Sequence, residues 1–252
     1  MSVSKLLFLG TGSSLGVPLL GCTCAVCTSI DKKNNRLRPS VLISHLGKRF
    51  IIDAGPDFRT QALRYGFASV DGFLFTHAHF DHIGGIEDIR ALSFCSQKRV
   101  SCLFSKETLE SVHKRCHYLF HPHPFFDVTL LPEDHGEIDF EGVCFTYVSY
   151  YQGQMKVNGF RIGDVAYVSD IRRFDEAILP YLQGAGILVL SAIHNEPSGA
   201  HFSFEEGIAF SRRVLAKSTY FTHLSHHVDH DLASRSLPKN FYVGYDGLEI
   251  FF

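Results

Sequence analysis

The stretch THAHFDHIGG, residues 76–85, places four metal-binding side chains within six residues: His77, His79, Asp81 and His82. The apolar run 70–75 before it predicts a buried strand, and the glycine pair at its end predicts a turn. The four side chains would then lie where a strand leaves its sheet. Imidazole nitrogens and a carboxylate oxygen suit Zn²⁺, and such a cluster can hold two metals when distant residues complete it. The alternative is a histidine-rich surface turn, since the chain contains 15 histidines.

Length and composition fit one enzyme-sized domain spanning residues 1–252, with 45% hydrophobic residues to build its core. No apolar run approaches 18 residues, so no membrane span is expected. The net charge of −2 gives no general attraction to nucleic acid, although a local basic patch would still be compatible with it. Seven cysteines without a secretion signal indicate a reducing compartment, and we expect a cytoplasmic protein. A homodimer is compatible with the sequence.

The order of predicted elements indicates an α/β fold. Strands are predicted at residues 6–9, 41–44, 49–53, 70–75, 101–104, 137–140, 143–150, 160–162, 165–169, 187–191, 219–222 and 248–252. Helices are predicted at 58–65, 106–118, 174–182 and 204–216, the last beginning with a capping box of Ser203 and Glu206. Hairpins are expected in the first half and alternating strands and helices in the second. We therefore expect two sheets packed face to face with helices outside.

Further metal ligands are expected at the ends of other strands. Asp170 follows the apolar run 165–169, and its two carboxylate oxygens could bridge two cations. His223 follows the strand 219–222. Asp53 ends the strand 49–53 and could accept a hydrogen bond from a ligand imidazole. An aspartate at a strand end is usually only a turn or cap residue. We therefore interpret these residues as parts of a metal site only because they occur together with the histidine motif.

Together these residues resemble the metallo-β-lactamase superfamily of metal-dependent hydrolases. The motif of residues 77–82 carries the resemblance, and Asp53, Asp170 and His223 fall at the other positions usual for the superfamily. Residues 10–14, 52–59 and 222–226 are most similar to the branch containing the bacterial cyclic-phosphate phosphodiesterase of phosphonate breakdown. The resemblance implies an αββα sandwich of two mixed sheets with two divalent metals at one edge. It also implies the ligands: His77 and His79 for the first metal, Asp81, His82 and His223 for the second, and Asp170 between them.

The sequence departs from this family at Gln152. The family normally supplies a third histidine to the first metal before a Gly-Phe-Arg segment, which here is residues 159–161. A neutral amide oxygen suits hard cations better than Zn²⁺. The first site should therefore be weaker or hold Mn²⁺, Mg²⁺ or Fe²⁺. A chain that has lost dinuclear hydrolysis and only binds metal or a partner protein is the alternative.

Residues 22–27 read CTCAVC and bring the thiols of Cys22, Cys24 and Cys27 close enough for one tetrahedral cation. A structural zinc site needs a fourth ligand. By the resemblance this ligand is His226, with the adjacent His227 as the local competitor. The alternative is a loop of free thiols.

The resemblance implies hydrolysis of a phosphodiester, with a small or cyclic substrate favoured over a polymer. A water between the two metals would attack phosphorus, oriented by Asp81. His201 precedes the capped helix, and by the resemblance it would donate a proton to the leaving oxygen or hold a phosphoryl oxygen. The alternatives on the same metal core are an RNA-processing nuclease and a thioester or lactone hydrolase. No inserted basic segment for docking RNA is visible.

Overall fold

The computed structural model describes residues 3–67, 69–120 and 124–252. Within these ranges the strands form two seven-stranded sheets. The first sheet contains β1 (Lys5–Gly10), β2 (Ser40–His45), β3 (Lys48–Ile52), β4 (Gly72–Leu74), β5 (Val100–Phe104), β6 (Phe126–Leu130) and β14 (Glu249–Phe251). The second sheet contains β7 (His135–Phe140), β8 (Val143–Gln152), β9 (Met155–Ile162), β10 (Val165–Val168), β11 (Ile187–Ser191), β12 (Ser218–Thr222) and β13 (Phe241–Val243).

Helices cover the outer faces of both sheets. They are α1 (Phe58–Tyr65), α2 (Phe80–Ile83), α3 (Ile86–Ser96), α4 (Lys106–Cys116), α5 (Leu179–Leu182), α6 (Phe204–Arg213) and α7 (His230–Ser236). The predicted capping box of α6 is confirmed, because Ser203 and Glu206 exchange side-chain and backbone hydrogen bonds. Among the described helices, none is long and apolar enough to cross a membrane.

Each sheet is mixed. The first has the order β14-β1-β2-β3-β4-β5-β6, antiparallel as far as β3 and parallel from β3 to β6. The second has the order β13-β12-β11-β10-β9-β8-β7, antiparallel from β7 to β10 and parallel from β10 to β13. Hairpins, expected in the first half, also occur in the second, where tight turns join β7 to β8, β8 to β9 and β9 to β10. The carboxyl ends of the parallel strands in each sheet point to one edge, where ligands collect in such folds.

The core has three apolar layers. Between the sheets, Phe50 of β3 packs edge-on against Phe145 of β8 with ring centroids 4.9 Å apart. Outside the second sheet, Phe204 of α6 stacks on Phe221 of β12 at 4.9 Å. Gly207 permits this approach, because a Cβ there would lie 2.7 Å from the Phe221 ring. With α1, α3 and α4 covering the first sheet, these layers confirm the αββα sandwich.

Three helix predictions needed correction. The helix predicted over 204–216 ends at Arg213. The helix predicted over 106–118 ends at Cys116 and continues as a 3₁₀ turn, His117–Leu119. The helix predicted over 174–182 is a 3₁₀ turn, Glu176–Ile178, followed by α5. A proline in the first turn of α5 lacks the N–H that would continue a hydrogen-bonded ladder from the preceding turn. Helices α2, α3 and α7 and strands β6 and β13 were not predicted from the sequence.

Candidate metal centre

The histidine motif leaves β4 and is tied to the chain that leaves β3. The Ala54 N–H donates to the His82 carbonyl oxygen, and the Gly85 N–H donates to the Ala54 carbonyl oxygen, both over 2.8 Å. Gly55 permits the approach, because a Cβ there would lie 2.0 Å from the Asp81 carbonyl oxygen. The glycines beside the motif therefore let two strand ends meet at backbone contact distance.

Three of the predicted site residues share an uncommon backbone conformation. Asp53, Asp170 and His223 lie just after β3, β10 and β12, with φ values of 63°, 57° and 61°. This left-handed region costs a residue with a side chain about 1–3 kcal/mol, and Asp, Asn and His adopt it more often than other residues do. All three side chains are buried. The fold therefore maintains local strain at the positions where the sequence predicted ligands.

Four of the predicted ligands already have the spacing of a tetrahedral metal site. His82 Nε2 lies 3.3 Å from Asp81 Oδ2 and 3.2 Å from Asp170 Oδ2. His223 Nε2 lies 3.2 Å from Asp81 Oδ2 and 3.3 Å from Asp170 Oδ1. Metal–ligand bonds of about 2.0–2.1 Å separate tetrahedral ligands by about 3.3 Å. His82 Nε2 is buried without a hydrogen-bond partner among the described residues, which suits an atom that faces a cation.

The charges of these four side chains depend on one another. Burial works to raise the pKa of Asp170, but the imidazoles of His223 and His82 outweigh it and hold that pKa well below its usual value. Burial also works to raise the pKa of Asp81, but nearby imidazoles, mainly that of His82, outweigh it and lower this pKa below its usual value. Both carboxylates are therefore ionised at neutral pH and available to cations.

His77 and His79 form the second donor pair. His77 Nε2 and His79 Nδ1 lie 2.9 Å apart, and the ligand atoms of His77, His82 and Asp170 all lie within 4.8 Å of one another. Burial lowers the pKa of both His77 and His79, and lowers that of His77 far below its usual value. Both imidazoles are thus neutral, which is the form that binds a metal.

Gln152, at the end of β8, lies within the same cluster. Its Nε2 donates to Asp170 Oδ1 over 3.1 Å and lies 3.0 Å from His201 Nε2. Its Oε1 is buried without a hydrogen-bond partner among the described residues. A buried acceptor left unpaired is unfavourable, and a nearby cation would relieve it. Gln152 therefore presents a buried, unpaired amide oxygen at the position where the resemblance implies a histidine ligand.

Asp53 fixes the orientation of the His82 ring through a hydrogen bond. One carboxylate oxygen accepts from the Thr76 N–H over 2.8 Å, and the other accepts from the Thr76 hydroxyl over 2.8 Å and from His82 Nδ1 over 2.6 Å. Because Nδ1 is engaged, Nε2 of His82 faces the metal-binding carboxylates. Burial works to lower the pKa of His82, but Asp53, Asp81 and Asp170 outweigh it and raise that pKa well above its usual value.

A cavity of about 330 Å³ opens onto this cluster, lined by Ser14, His79, Phe80, Asp81, Gln152, Asp170, His201 and His223. His201 Nδ1 lies 3.4 Å from Asp170 Oδ1, and the donor atoms of His201, Asp170 and His223 fall within 4.8 Å of one another. Burial, and then the charge of His223, lower the pKa of His201 to about 4. His201 therefore borders the cavity, where it can contact a substrate, and it also lies within reach of a metal at Asp170.

The cysteine loop lies beside the strand end that carries His223. The Sγ atoms of Cys22 and Cys24 lie 3.4 and 3.5 Å from His226 Nδ1, and Cys27 Sγ completes a group within 4.8 Å. Tetrahedral zinc separates a sulfur and a nitrogen ligand by about 3.5 Å. A hydrogen bond from the Cys27 backbone, and then His226, lower the pKa of Cys24 to about 6. The geometry thus joins the three thiols to His226, whereas His227 lies against His194 at 6.0 Å between ring centroids.

Three supporting residues escaped the sequence analysis. Thr76 accepts at its carbonyl oxygen from the Asn158 side chain over 2.9 Å, and Arg115 donates to the Ala78 carbonyl oxygen over 2.6 Å. These bonds hold both sides of the motif. Thr76 could have been found from its place beside His77. Arg115 and Asn158 come from distant elements and carry no local signal.

Comparison with known proteins agrees with this geometry. The family described as beta-lactamase superfamily domain matches residues 48–224. The crystal structure of a diphosphatase from the PhnP family superposes with a TM-score of 0.92 and 36% identity, covering 100% of this chain and 98% of that one. The short form of human tRNase Z superposes with a TM-score of 0.72 over 98% of both chains, and at 15% identity it supports the fold alone.

The chain is also similar in sequence to part of a longer protein that bears the name of a transferase. An octanoyltransferase of Porphyromonas gingivalis is 33% identical over 252 residues, covering 97% of this chain and 51% of that protein. The chain therefore spans about half the length of this relative. Because the family match covers most of the chain and the PhnP-family structure matches from end to end, this chain belongs to the metallo-β-lactamase superfamily and is a PhnP-like member of it.

Proposed function

We propose that this protein is a metal-dependent hydrolase of small phosphorylated compounds, acting on phosphodiesters and on the phosphoanhydride bridge of a substituted diphosphate. The observation that carries the proposal is the position of Asp170. Its Oδ1 lies 3.3 Å from Nε2 of His223, which belongs to one ligand set, and its carboxylate lies within 4.8 Å of the ligand nitrogen of His77, which belongs to the other. One buried carboxylate thus faces donors on both sides, as a dinuclear centre requires. The 36% identical PhnP-family diphosphatase supports the same class of reaction.

The fold family implies divalent metals, and the residues present fit them. Two metals at this centre would supply Lewis acids for the phosphoryl oxygens and lower the pKa of a water toward neutrality. The side chains that would hold them are His77, His79 and Gln152 on one side, Asp81, His82 and His223 on the other, and Asp170 between.

Two side chains at the cavity have roles beyond metal binding. Asp81 is ionised and borders the cavity, so that its carboxylate can accept a hydrogen bond from the attacking water and orient it. His201 is mostly buried and keeps part of its ring at the cavity wall. Its N–H can donate to a phosphoryl oxygen or to the leaving oxygen, where charge develops in the transition state.

The cavity favours a small substrate with groups on both sides of the phosphorus. Its volume of about 330 Å³ lies at the lower end of the range for small-molecule sites and exceeds the size of one phosphoryl group. A phosphodiester places one ester oxygen toward His201 and leaves room for the second substituent. We therefore expect diesters to be better substrates than monoesters.

We also propose that Cys22, Cys24, Cys27 and His226 hold a structural zinc ion. The zinc ion would tie the loop of residues 22–27 to His226, three residues after His223. Because structural zinc adds directly to the free energy of folding, it would stabilise the strand end that presents His223 to the catalytic metals.

The test is turnover by protein that has been stripped of metal and reloaded with Mn²⁺ or Zn²⁺. Bis(p-nitrophenyl) phosphate should be hydrolysed, and p-nitrophenyl phosphate should be hydrolysed far more slowly. Asp170→Asn is the matched loss-of-function variant, since it keeps the shape of the side chain and removes its charge.

Fully metallated protein that hydrolyses a thioester or a lactone but no phosphodiester would show that the substrate class is wrong. If none of these compounds is turned over, the protein is a metal-binding protein without hydrolase activity, and the amide at Gln152 becomes the first explanation.

A further inference from the structure

The loop of residues 22–27 contains a second pattern besides the proposed set of zinc ligands. Residues 24–27 read CAVC, so that Cys24 and Cys27 are separated by two residues. Redox-active thiol pairs use this spacing, as zinc sites do. The chain turns here, because the Thr28 N–H donates to the Cys24 carbonyl oxygen over 3.0 Å. Residues three apart in such a turn share a side, and the two Sγ atoms lie within 4.8 Å of each other.

The two sulfur atoms of this pair have different surroundings. Cys24 is partly exposed, and its Sγ accepts a hydrogen bond from the Cys27 N–H. Cys27 is only 8% exposed, packs against Val17 and Val26, and accepts at Sγ from the Leu19 N–H over 3.3 Å. A small oxidant in the solvent can therefore reach Cys24, whereas Cys27 is shielded beside it. An accessible cysteine next to a second, resolving cysteine is the arrangement found at reversible oxidation sites.

We propose that Cys24 and Cys27 form a reversible oxidation site, which hydrogen peroxide converts to a disulfide. The inference rests on the proposed zinc site, since the same sulfurs bind zinc while they are reduced. The Cys24 thiolate attacks one peroxide oxygen; an S–O bond forms, the O–O bond breaks and hydroxide leaves. The sulfur is thereby oxidised to a sulfenic acid, and the peroxide is reduced. The Cys27 thiolate then attacks the Cys24 sulfur; the S–S bond forms, the S–O bond breaks and a second hydroxide leaves.

Oxidation would affect the zinc ion far more than the catalytic centre. The disulfide removes two of the four proposed ligands, and the remaining thiol and imidazole do not complete a tetrahedral site. The loop of residues 22–27 would then lose its link to His226. The chain at His223 has other support, because the Leu224 N–H donates to the Thr11 carbonyl oxygen over 2.8 Å. We therefore expect zinc to leave the loop while the catalytic metals remain.

The test follows the zinc, the thiols and the mass of the whole protein, and does not depend on turnover. Protein with zinc at the thiols and Mn²⁺ at the catalytic centre is treated with a small molar excess of hydrogen peroxide. One zinc per chain should be released, and two of the seven thiols should disappear. Peptide mass spectrometry should find a disulfide between Cys24 and Cys27, and the Mn²⁺ should be retained. Dithiothreitol with added zinc should restore the thiols and the bound zinc.

Three variants separate the oxidation from a simple loss of metal. Cys27→Ser should stop the reaction at the sulfenic acid of Cys24, which dimedone traps. Cys22→Ser also removes a proposed zinc ligand but keeps the pair, so it should still form the disulfide. Cys144→Ser, at an exposed cysteine on β8, is the matched control and should leave the reaction unchanged.

Peroxide treatment that leaves the thiols of Cys24 and Cys27 free, or that joins other cysteines instead, would overturn the inference. Oxidation of Cys24 to a sulfinic acid, which dithiothreitol does not reverse, would overturn it as well. The proposed zinc site fails separately: a parent protein that holds no zinc at the thiols and still forms this disulfide has the oxidation site without the metal. Hydrolysis of phosphodiesters decides neither question.

Discussion

Gln152→His should restore the histidine that the first metal site lacks. Gln152 ends β8, is buried, and lies within hydrogen-bond distance of Asp170 and His201. Histidine has a similar volume, so the substitution should be accommodated without moving the strand. It removes the 3.1 Å hydrogen bond from the amide to Asp170 and provides an imidazole nitrogen, which Zn²⁺ prefers to a neutral amide oxygen.

The magnitude follows from the change of ligand. Losing a residue that only orients a metal ligand weakens metal binding about 10- to 100-fold. Replacing the amide by an imidazole that binds directly should therefore strengthen the first site at least about tenfold for Zn²⁺. The gain should be smaller for Mg²⁺, which prefers oxygen ligands. If hydrolysis limits turnover, activity at low Zn²⁺ should rise with the occupancy of this site.

The assay is a calorimetric titration of metal-stripped protein with Zn²⁺. Besides zinc uptake by the proposed thiol site, the parent should show a tight catalytic site, built from Asp81, His82, Asp170 and His223, and a weaker one. In Gln152→His the weaker site should approach the tighter one. Tyr151→His is the matched control, because this neighbour lies on the opposite face of β8 and is 38% exposed. Equal affinities of the two sites in the parent, or an unchanged weaker site in the variant, would refute the reasoning.

Four further variants test other parts of the protein. Cys24→Ser should remove one zinc per chain and lower the melting temperature, measured by elemental analysis and calorimetry, whereas Cys144→Ser, at an exposed cysteine, should change neither. His201→Ala should lower kcat about 10²- to 10⁴-fold with the metal content unchanged; loss of metal would instead show that His201 is a ligand. Asp81→Ala should reduce metal content and activity together. Burial raises the pKa of Asp246 from 3.8 to about 6, so the folded state holds this proton more tightly than the unfolded state does. Stability of the metal-free protein should therefore fall as the pH rises from about 4 to 6, by up to about 3 kcal/mol, and urea unfolding of Asp246→Asn should lack this component.

The sequence was most informative where the chemistry is local. The motif of residues 77–82 and the aspartates and histidine that end apolar strands could be recognised from residue type and spacing alone. The structure brings Asp53, Asp170 and His223 to the same cluster, because parallel strands deliver their carboxyl ends to one edge. The structure also shows that His226 lies beside the thiols of Cys22 and Cys24, whereas spacing in the sequence could not distinguish it from the adjacent His227.

The remaining features depend on contacts between distant residues. Arg115 reaches the Ala78 carbonyl oxygen from α4, and the Phe80 ring approaches Gly84 so closely that a Cβ there would lie 3.0 Å from its Cζ. Neither contact leaves a periodic pattern in the sequence. Strand β6 was missed because it is an edge strand that pairs only with β5, so it lacks the continuous apolar run of a buried strand.

The central claim is that one carboxylate, Asp170, joins two metal sites of unequal strength. Anomalous diffraction at the manganese edge, from crystals grown with Mn²⁺, tests it most directly. The account predicts two manganese peaks, one on each side of Asp170, with the peak beside Asp81 and His223 at the higher occupancy. A single peak, or no peak within bonding distance of Asp170, would contradict it.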